Sequence, residues 1–272
     1  MTELTRRVAV VGAGKMGETL IQGMLDGGVP QSAIVATAAH QERLDLIAER
    51  FGVATTLDNR EAVKDAEILL LCVKPQVAER VLAQVHDSIS EGTVLVSILA
   101  SVTTGYLERR LTPGTSVIRA MPNTPTRVGA GMTALCAGKT ASDDDVSYVQ
   151  RLFEPMGRTL VTDEKHMDAI TGLSASGPAF LYIVIEALAD GGVKAGLPRQ
   201  VAIDLAAQTC LGAAAMVNET GSHPALLKDE VTTPAGCTVD GILKLEEGGL
   251  RVTLIKAIVE AAARAGELVT DD

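Results

Sequence analysis

The chain has 272 residues, 47% of them hydrophobic and 21% charged, enough for one large or two ordinary soluble domains with a generous core. A net charge of -10, no tryptophan and only 2% aromatic residues exclude a phosphate-backbone or base-stacking surface, so no nucleic-acid partner is expected. Cys72, Cys136, Cys210 and Cys237 form no C-x-x-C pair and have no histidine at ligand spacing, so they read as reduced thiols, with no metal site.

Arg6-Arg7 followed by Val8–Val11 mimics the start of a signal peptide, but the apolar run is too short and stops at Gly12. The most apolar later stretch, 179–189, contains Glu186 and falls short of a bilayer span. The expectation is a cytoplasmic protein without a membrane partner.

From the N-terminus, short apolar runs at Val8–Val11, Ile34–Thr37, Ile68–Val73, Thr93–Ile98 and Ser116–Met121 alternate with helix-like segments at Met16–Leu25, Gln41–Arg50 and Gln76–His86. That alternation predicts βαβ units and a doubly wound, mostly parallel Rossmann sheet over residues 1–163. Beyond Asp163 no strand pattern is visible. Alanine-rich segments predict helices at about 165–190, 199–218, 238–247 and 249–268, an all-α second domain over 164–272.

On the last of these helices Leu250, Leu254, Ile258, Ala261, Ala265 and Leu268 share one face, and Val252, Ile255, Val259 and Ala262 widen it to roughly 200°. A terminal helix so apolar is expected to be buried on more than one side. A second subunit is the simplest partner, with burial in its own chain as the alternative.

Gly12-Ala13-Gly14-Lys15-Met16-Gly17 follows the first strand and opens the first helix. That is the context a dinucleotide-binding G-x-G-x-x-G requires: a tight turn, room for a pyrophosphate, then close helix–strand packing. The helix N-terminus offers amide donors to the phosphates. No carboxylate stands at the end of the second strand, which reads Thr37-Ala38-Ala39-His40. NADP(H) is therefore expected in preference to NAD(H), with His40 or Arg43 as partners of a 2′-phosphate; Arg43 reads equally well as a solvated helix residue.

Two further segments carry a resemblance. Gly172-Leu173-Ser174-Ala175-Ser176-Gly177-Pro178-Ala179-Phe180 is followed by Ala189–Val193, and then by His223–Thr238, continuing to Gly241 and Leu245-Glu246. With Val73-Lys74-Pro75 and Met121-Pro122-Asn123-Thr124-Pro125, this resembles the pyrroline-5-carboxylate reductase family over nearly the whole chain. The resemblance implies a Rossmann domain plus a helical dimerisation domain, a homo-oligomer, and NAD(P)H reduction of Δ1-pyrroline-5-carboxylate to L-proline, the last step of proline biosynthesis.

Carried over by position, the resemblance implies cofactor contacts at Gly12, Ala13, Gly14, Lys15, Met16, Gly17, Thr37, Asn59, Cys72, Val73, Lys74, Pro75, Ile98, Leu99 and Ala100. It implies substrate contacts at Glu164, Cys237 and Thr238, with Thr238 the catalytic candidate, and Gly236 is expected to let the backbone before that helix approach the substrate. Cys237, Glu230 and Ile98-Leu99 depart from the family pattern, so contact at Ile98-Leu99 is expected through backbone. Thr238 also reads as a helix cap, Asn123 as a turn residue, and Ser174 and Ser176 as caps of the helix near Pro178.

The chemistry agrees with the residues. Reduction of an imine that binds already protonated requires no strong general acid, and no His-Asp or Lys-Asp pairing of the hydroxy-acid dehydrogenase kind is present. A hydroxy-acid enzyme on this architecture would carry a catalytic lysine in the interdomain helix, and residues 167–192 contain none. A non-catalytic NADP(H) sensor would have no use for the threonine-rich loop at 232–238.

Overall fold

The structure, a computed structural model, describes residues 4–267. It divides into two compact units, residues up to 176 together with 260 onward, and residues 177–259. The change at 176/177 comes later than the boundary expected after 163.

In the first unit, eight strands form one sheet in the order β3-β2-β1-β4-β5-β6-β7-β8. They are β1 (Val8–Val11), β2 (Ile34–Thr37), β3 (Ala54–Thr56), β4 (Ile68–Leu71), β5 (Val94–Ser97), β6 (Ser116–Met121), β7 (Gly131–Ala137) and β8 (Gly157–Val161). The first six run parallel; β7 is antiparallel to β6, and β8 is parallel to β7. All five predicted strands are present. β3 escaped notice because Ala54–Thr56 is short and polar, and β7 because its alternation begins at a glycine.

The helices of this unit are α1 (Lys15–Asp26), α2 (Gln41–Phe51), α3 (Asn59–Val63), α4 (Ala78–Val85), α5 (Thr104–Glu108), α6 (Asp143–Phe153) and α7 (Met167–Ile170). They cover both sheet faces. Val8, Val10, Ile68 and Leu70 pack with Leu20, Ile47 and Val149 from α1, α2 and α6. Ala9, Val11, Leu69 and Leu71 pack with Val63, Leu82 and Leu107 from α3, α4 and α5. The period-two alternation of each strand thus feeds two apolar layers, as a doubly wound sheet requires.

The second unit holds α8 (Gly177–Lys194), α9 (Arg199–Thr220), α10 (Pro224–Val231), α11 (Cys237–Glu247) and most of α12 (Leu250–Glu267). The unpredicted α10 starts with proline at its first turn, and its cap is His223, whose Nδ1 accepts from Ala225 N at 3.2 Å. The only sizeable buried apolar cluster among the described residues of this unit is Ala189, Ala202 and Ala206 between α8 and α9. Large apolar side chains stay exposed: Leu181, Tyr182, Ile183, Leu205 and Leu211 among them. On α12, Ile258 and Ala261 are half-buried and Ala265 buried, while Val252, Ile255 and Val259 are exposed; Leu268 lies outside the described residues.

Two helical runs, 164–194 and 199–220, are long and apolar enough to cross a membrane by length and composition. The first is longer than the 179–189 stretch visible in the sequence, because the polar residues on either side continue the helix.

Candidate active site

The glycine loop sits between β1 and α1, and each of its glycines has a separate cause. Gly12 has φ +95°, and a Cβ there would lie 2.8 Å from Val73 Cγ1 and 3.0 Å from the Cys72 carbonyl carbon. At Gly17 a Cβ would meet the Gly12 carbonyl oxygen at 2.7 Å, so only glycine lets α1 close on the loop. Gly14 faces open space with nothing within 4 Å. Two glycines therefore serve the chain's own packing, and the middle one leaves a gap beside the α1 amides. That gap fits a pyrophosphate.

The loop is held from β2 and α2. The Thr37 carbonyl accepts from Gly12 N at 3.2 Å and Ala13 N at 2.6 Å. Arg43 Nε donates to the Ala13 carbonyl at 2.8 Å, and its Nη2 donates to the Gly14 carbonyl at 3.1 Å and to Glu18. These bonds occupy the side chain expected to be available for a 2′-phosphate. The Arg43 guanidinium beside Glu18 holds that carboxyl below its usual range, with Arg50 adding to the effect.

Thr37 has no solvent-exposed surface. Its hydroxyl donates to Asn59 Oδ1 at 2.6 Å, and Asn59 Nδ2 donates to Gln84 Oε1 at 3.0 Å. The two expected cofactor contacts thus meet each other, and Thr37 braces the loop from below. His40 is exposed at the N-terminus of α2, which has no side-chain cap.

Cys72-Val73-Lys74-Pro75 follows β4 and Ile98-Leu99-Ala100 follows β5, both at the same carboxyl edge as the glycine loop. Burial pushes the Cys72 thiol up to about 12, so it acts as a small apolar group. Lys74 is exposed. The Leu99 side chain is buried in the α4–α5 layer, so only backbone is presented there.

β6 brings in a group the sequence reading missed. Arg119 is only 2% exposed, with Nη1 3.5 Å from Glu164 Oε1, Nη2 3.5 Å from Asp168 Oδ1, and Nε without a partner among the described residues. Glu164 also accepts from Thr104 N and Thr104 Oγ1, each at 2.7 Å. An arginine inside the apolar run Val117-Ile118-Arg119-Ala120-Met121 was the available signal, since a buried cation requires paired carboxylates.

In the second unit, Gly236 is the N-cap of α11, with no side-chain capping bond. Its missing side chain answers to its own chain: a Cβ would fall 2.5 Å from Thr233 Oγ1. Ala235 before it has φ +60°. Cys237 is exposed and Thr238 half-buried in the first turn, with no hydrogen-bond partner for the Thr238 hydroxyl among the described residues. Capping does not account for Thr238. In the first turn of α11, Val239 N pairs with the Gly236 carbonyl at 3.3 Å, and the Cys237 and Thr238 amides precede that first bond.

Residues 164–268 match the family described as pyrroline-5-carboxylate reductase dimerisation, and residues 7–101 match NADP oxidoreductase coenzyme F420-dependent. The chain is 43% identical to a pyrroline-5-carboxylate reductase of Arabidopsis thaliana, covering 96% of this chain and 95% of that one. It is 41% identical to one from Methanosarcina acetivorans, covering 97% and 98%. Its structure is similar to that of a pyrroline-5-carboxylate reductase from Coxiella burnetii, with a TM-score of 0.91, 35% identity and coverage of 98% and 99%. A Plasmodium falciparum pyrroline carboxylate reductase with NADP bound gives a TM-score of 0.88 at 28% identity, covering 96% and 97%.

Proposed function

The chain belongs to the pyrroline-5-carboxylate reductase family, and from that premise we propose how its residues carry the reaction, which donor they prefer and how copies assemble. It is an NAD(P)H-dependent oxidoreductase that reduces the C=N bond of Δ1-pyrroline-5-carboxylate to give L-proline. When bound, the nicotinamide cofactor supplies the hydride that the imine carbon takes up. The α1 amides beside Gly14 hold the pyrophosphate, and the backbone of Cys72–Pro75 and Ile98–Ala100 lines the carboxyl edge of the sheet.

The preference for NADPH rests on Ala38, Ala39 and His40. No carboxylate repels a 2′-phosphate there, and the uncapped α2 N-terminus beside His40 offers free amides. Arg43 supports this site by fixing the loop.

For the substrate, the open Thr238 hydroxyl is the observation that carries the assignment. It accepts a hydrogen bond from the protonated ring nitrogen, while the Cys237 and Thr238 amides hold the carboxylate at the α11 N-terminus. No side chain has to deliver a proton, because nitrogen carries it on binding; the gain comes from orientation. Glu164 supports the site by neutralising Arg119. The exposed apolar faces of α8, α9 and α12 form the contact with a second copy, which covers them in place of lipid. Following NADPH oxidation with Δ1-pyrroline-5-carboxylate, and repeating it with NADH, tests the activity and the preference; equal or tighter NADH binding would remove the preference.

A further inference from the structure

Residues Thr171–Ala175 form a π-turn, with Ser176 N donating to the Thr171 carbonyl at 3.0 Å. Such turns are rare and concentrate at functional sites. Four residues after Ser174 comes Pro178, which has no N–H. The Ser174 carbonyl therefore lacks the donor that a regular helix would provide. Asn123 provides one: its Nδ2 donates to Ser174 O at 3.2 Å and lies 3.3 Å from Ser174 Oγ. Its Oδ1 accepts from Met132 N at 2.9 Å. One amide side chain thus ties the end of β6, the start of β7 and the π-turn together. Asn123 is itself fixed, because its carbonyl accepts from Thr126 Oγ1 at 2.7 Å.

The location gives this tie a consequence. Met121, Ala134, Cys136 and Met167 form a small apolar cluster against which Ala100 and Ala175 both pack. Ala100 belongs to the loop after β5, at the carboxyl edge where the reactive half of a dinucleotide lies beyond the switch point between β1 and β4. The π-turn therefore packs with the cofactor side of the sheet, and its shape depends on a donor borrowed from Asn123.

We propose that Asn123 is a positioning residue for hydride transfer: its amide replaces the N–H that Pro178 lacks and fixes the π-turn 171–175 against the apolar cluster on which Ala100 also packs. The role rests on the imine-reductase reading above. It does not require Asn123 to touch substrate.

Asn123→Asp keeps an acceptor for Met132 N and removes the donor to Ser174. Pro178→Ala returns an N–H four residues after Ser174, which lets the segment relax into α register. Asn123→Asp is expected to lower kcat with Δ1-pyrroline-5-carboxylate about tenfold, leaving the KM for NADPH within about twofold. The double variant is expected to regain melting temperature without regaining kcat. Wild-type kcat in Asn123→Asp, or recovery of both quantities in the double variant, would overturn the proposal, since Asn123 would then only satisfy a carbonyl. If Asn123→Asp alone does not fold, the double variant decides in the same way. Absence of turnover in the wild type would remove the reductase reading and this role with it; an active wild type with unchanged kcat in Asn123→Asp removes the role alone.

Discussion

Arg43 Nε donates to the carbonyl of Ala13 at 2.8 Å, so the arginine that stands where a 2′-phosphate ligand belongs is a brace of the glycine loop. The two roles differ in what Arg43→Met does. A brace serves both cofactors, so affinity for NADPH and NADH should fall by a similar factor, about tenfold for one charge-assisted bond. A phosphate ligand would weaken NADPH alone. Fluorescence titration of both cofactors distinguishes them.

The discriminating position proposed above is nearer His40. Thr37 is fully buried, so an aspartate there would be a buried charge rather than a specificity switch. Ala39 is exposed at the strand end. Ala39→Asp should shift preference towards NADH by repelling the 2′-phosphate. An unchanged NADPH:NADH ratio of kcat/KM would place the phosphate elsewhere.

Glu18 gives an acid-side signature. Its folded pKa lies below the ordinary glutamate value, first because Arg43 bonds its carboxylate. A depressed folded value means the stabilisation is present above the unfolded value and is lost as pH falls through the folded one. The melting temperatures of wild type and Glu18→Gln should therefore differ at neutral pH and converge below about pH 4.5. A gap that persists in acid would contradict the assignment.

Glu164→Gln leaves buried Arg119 with Asp168 as its remaining carboxylate partner. Urea unfolding should show a loss of about 1.5–3 kcal/mol, the usual scale for a hydrogen bond to a charged group. Arg119→Met, which removes the cation and leaves an apolar side chain of similar length, should cost less in Glu164→Gln than in wild type. Additive losses would mean the two residues do not act together.

Ile255 on α12 is 63% exposed and Ile183 on α8 is 64% exposed. Ile255→Glu or Ile183→Glu should convert the protein to monomer or unfold it, since each places a charge in an apolar face proposed to lie against the second copy. Sedimentation showing wild-type association in both variants would move the contact elsewhere.

The sheet was legible because Val8–Val11, Ile68–Leu71 and their neighbours are apolar runs bounded by turn residues. The glycine loop was legible because its spacing follows a strand and opens a helix, and Gly12 and Gly17 each meet a local constraint that only glycine satisfies. The rest was hidden for physical reasons. Arg43, Thr37 and Asn59 were expected at the cofactor loop, but the hydrogen bonds of Arg43 to Ala13 and of Thr37 to Asn59 depend on side-chain direction, which spacing does not encode. The Arg119 cluster joins residues distant in sequence, and α10, eight residues long, is too short to show a helical period. Gly236 was expected for a ligand contact; in the structure the neighbour that excludes a side chain there is Thr233, which spacing does not reveal.

The most direct test is steady-state kcat/KM for Δ1-pyrroline-5-carboxylate with NADPH, measured on wild type, Thr238→Ala and Thr238→Ser. The expected result is proline formation by wild type, a loss of roughly tenfold or more in the folded alanine variant with NADPH affinity unchanged, and recovery in serine, which keeps the hydroxyl. An alanine variant that folds and turns over like wild type would remove Thr238 from the site, and a wild type that oxidises no NADPH with this imine would contradict the function itself.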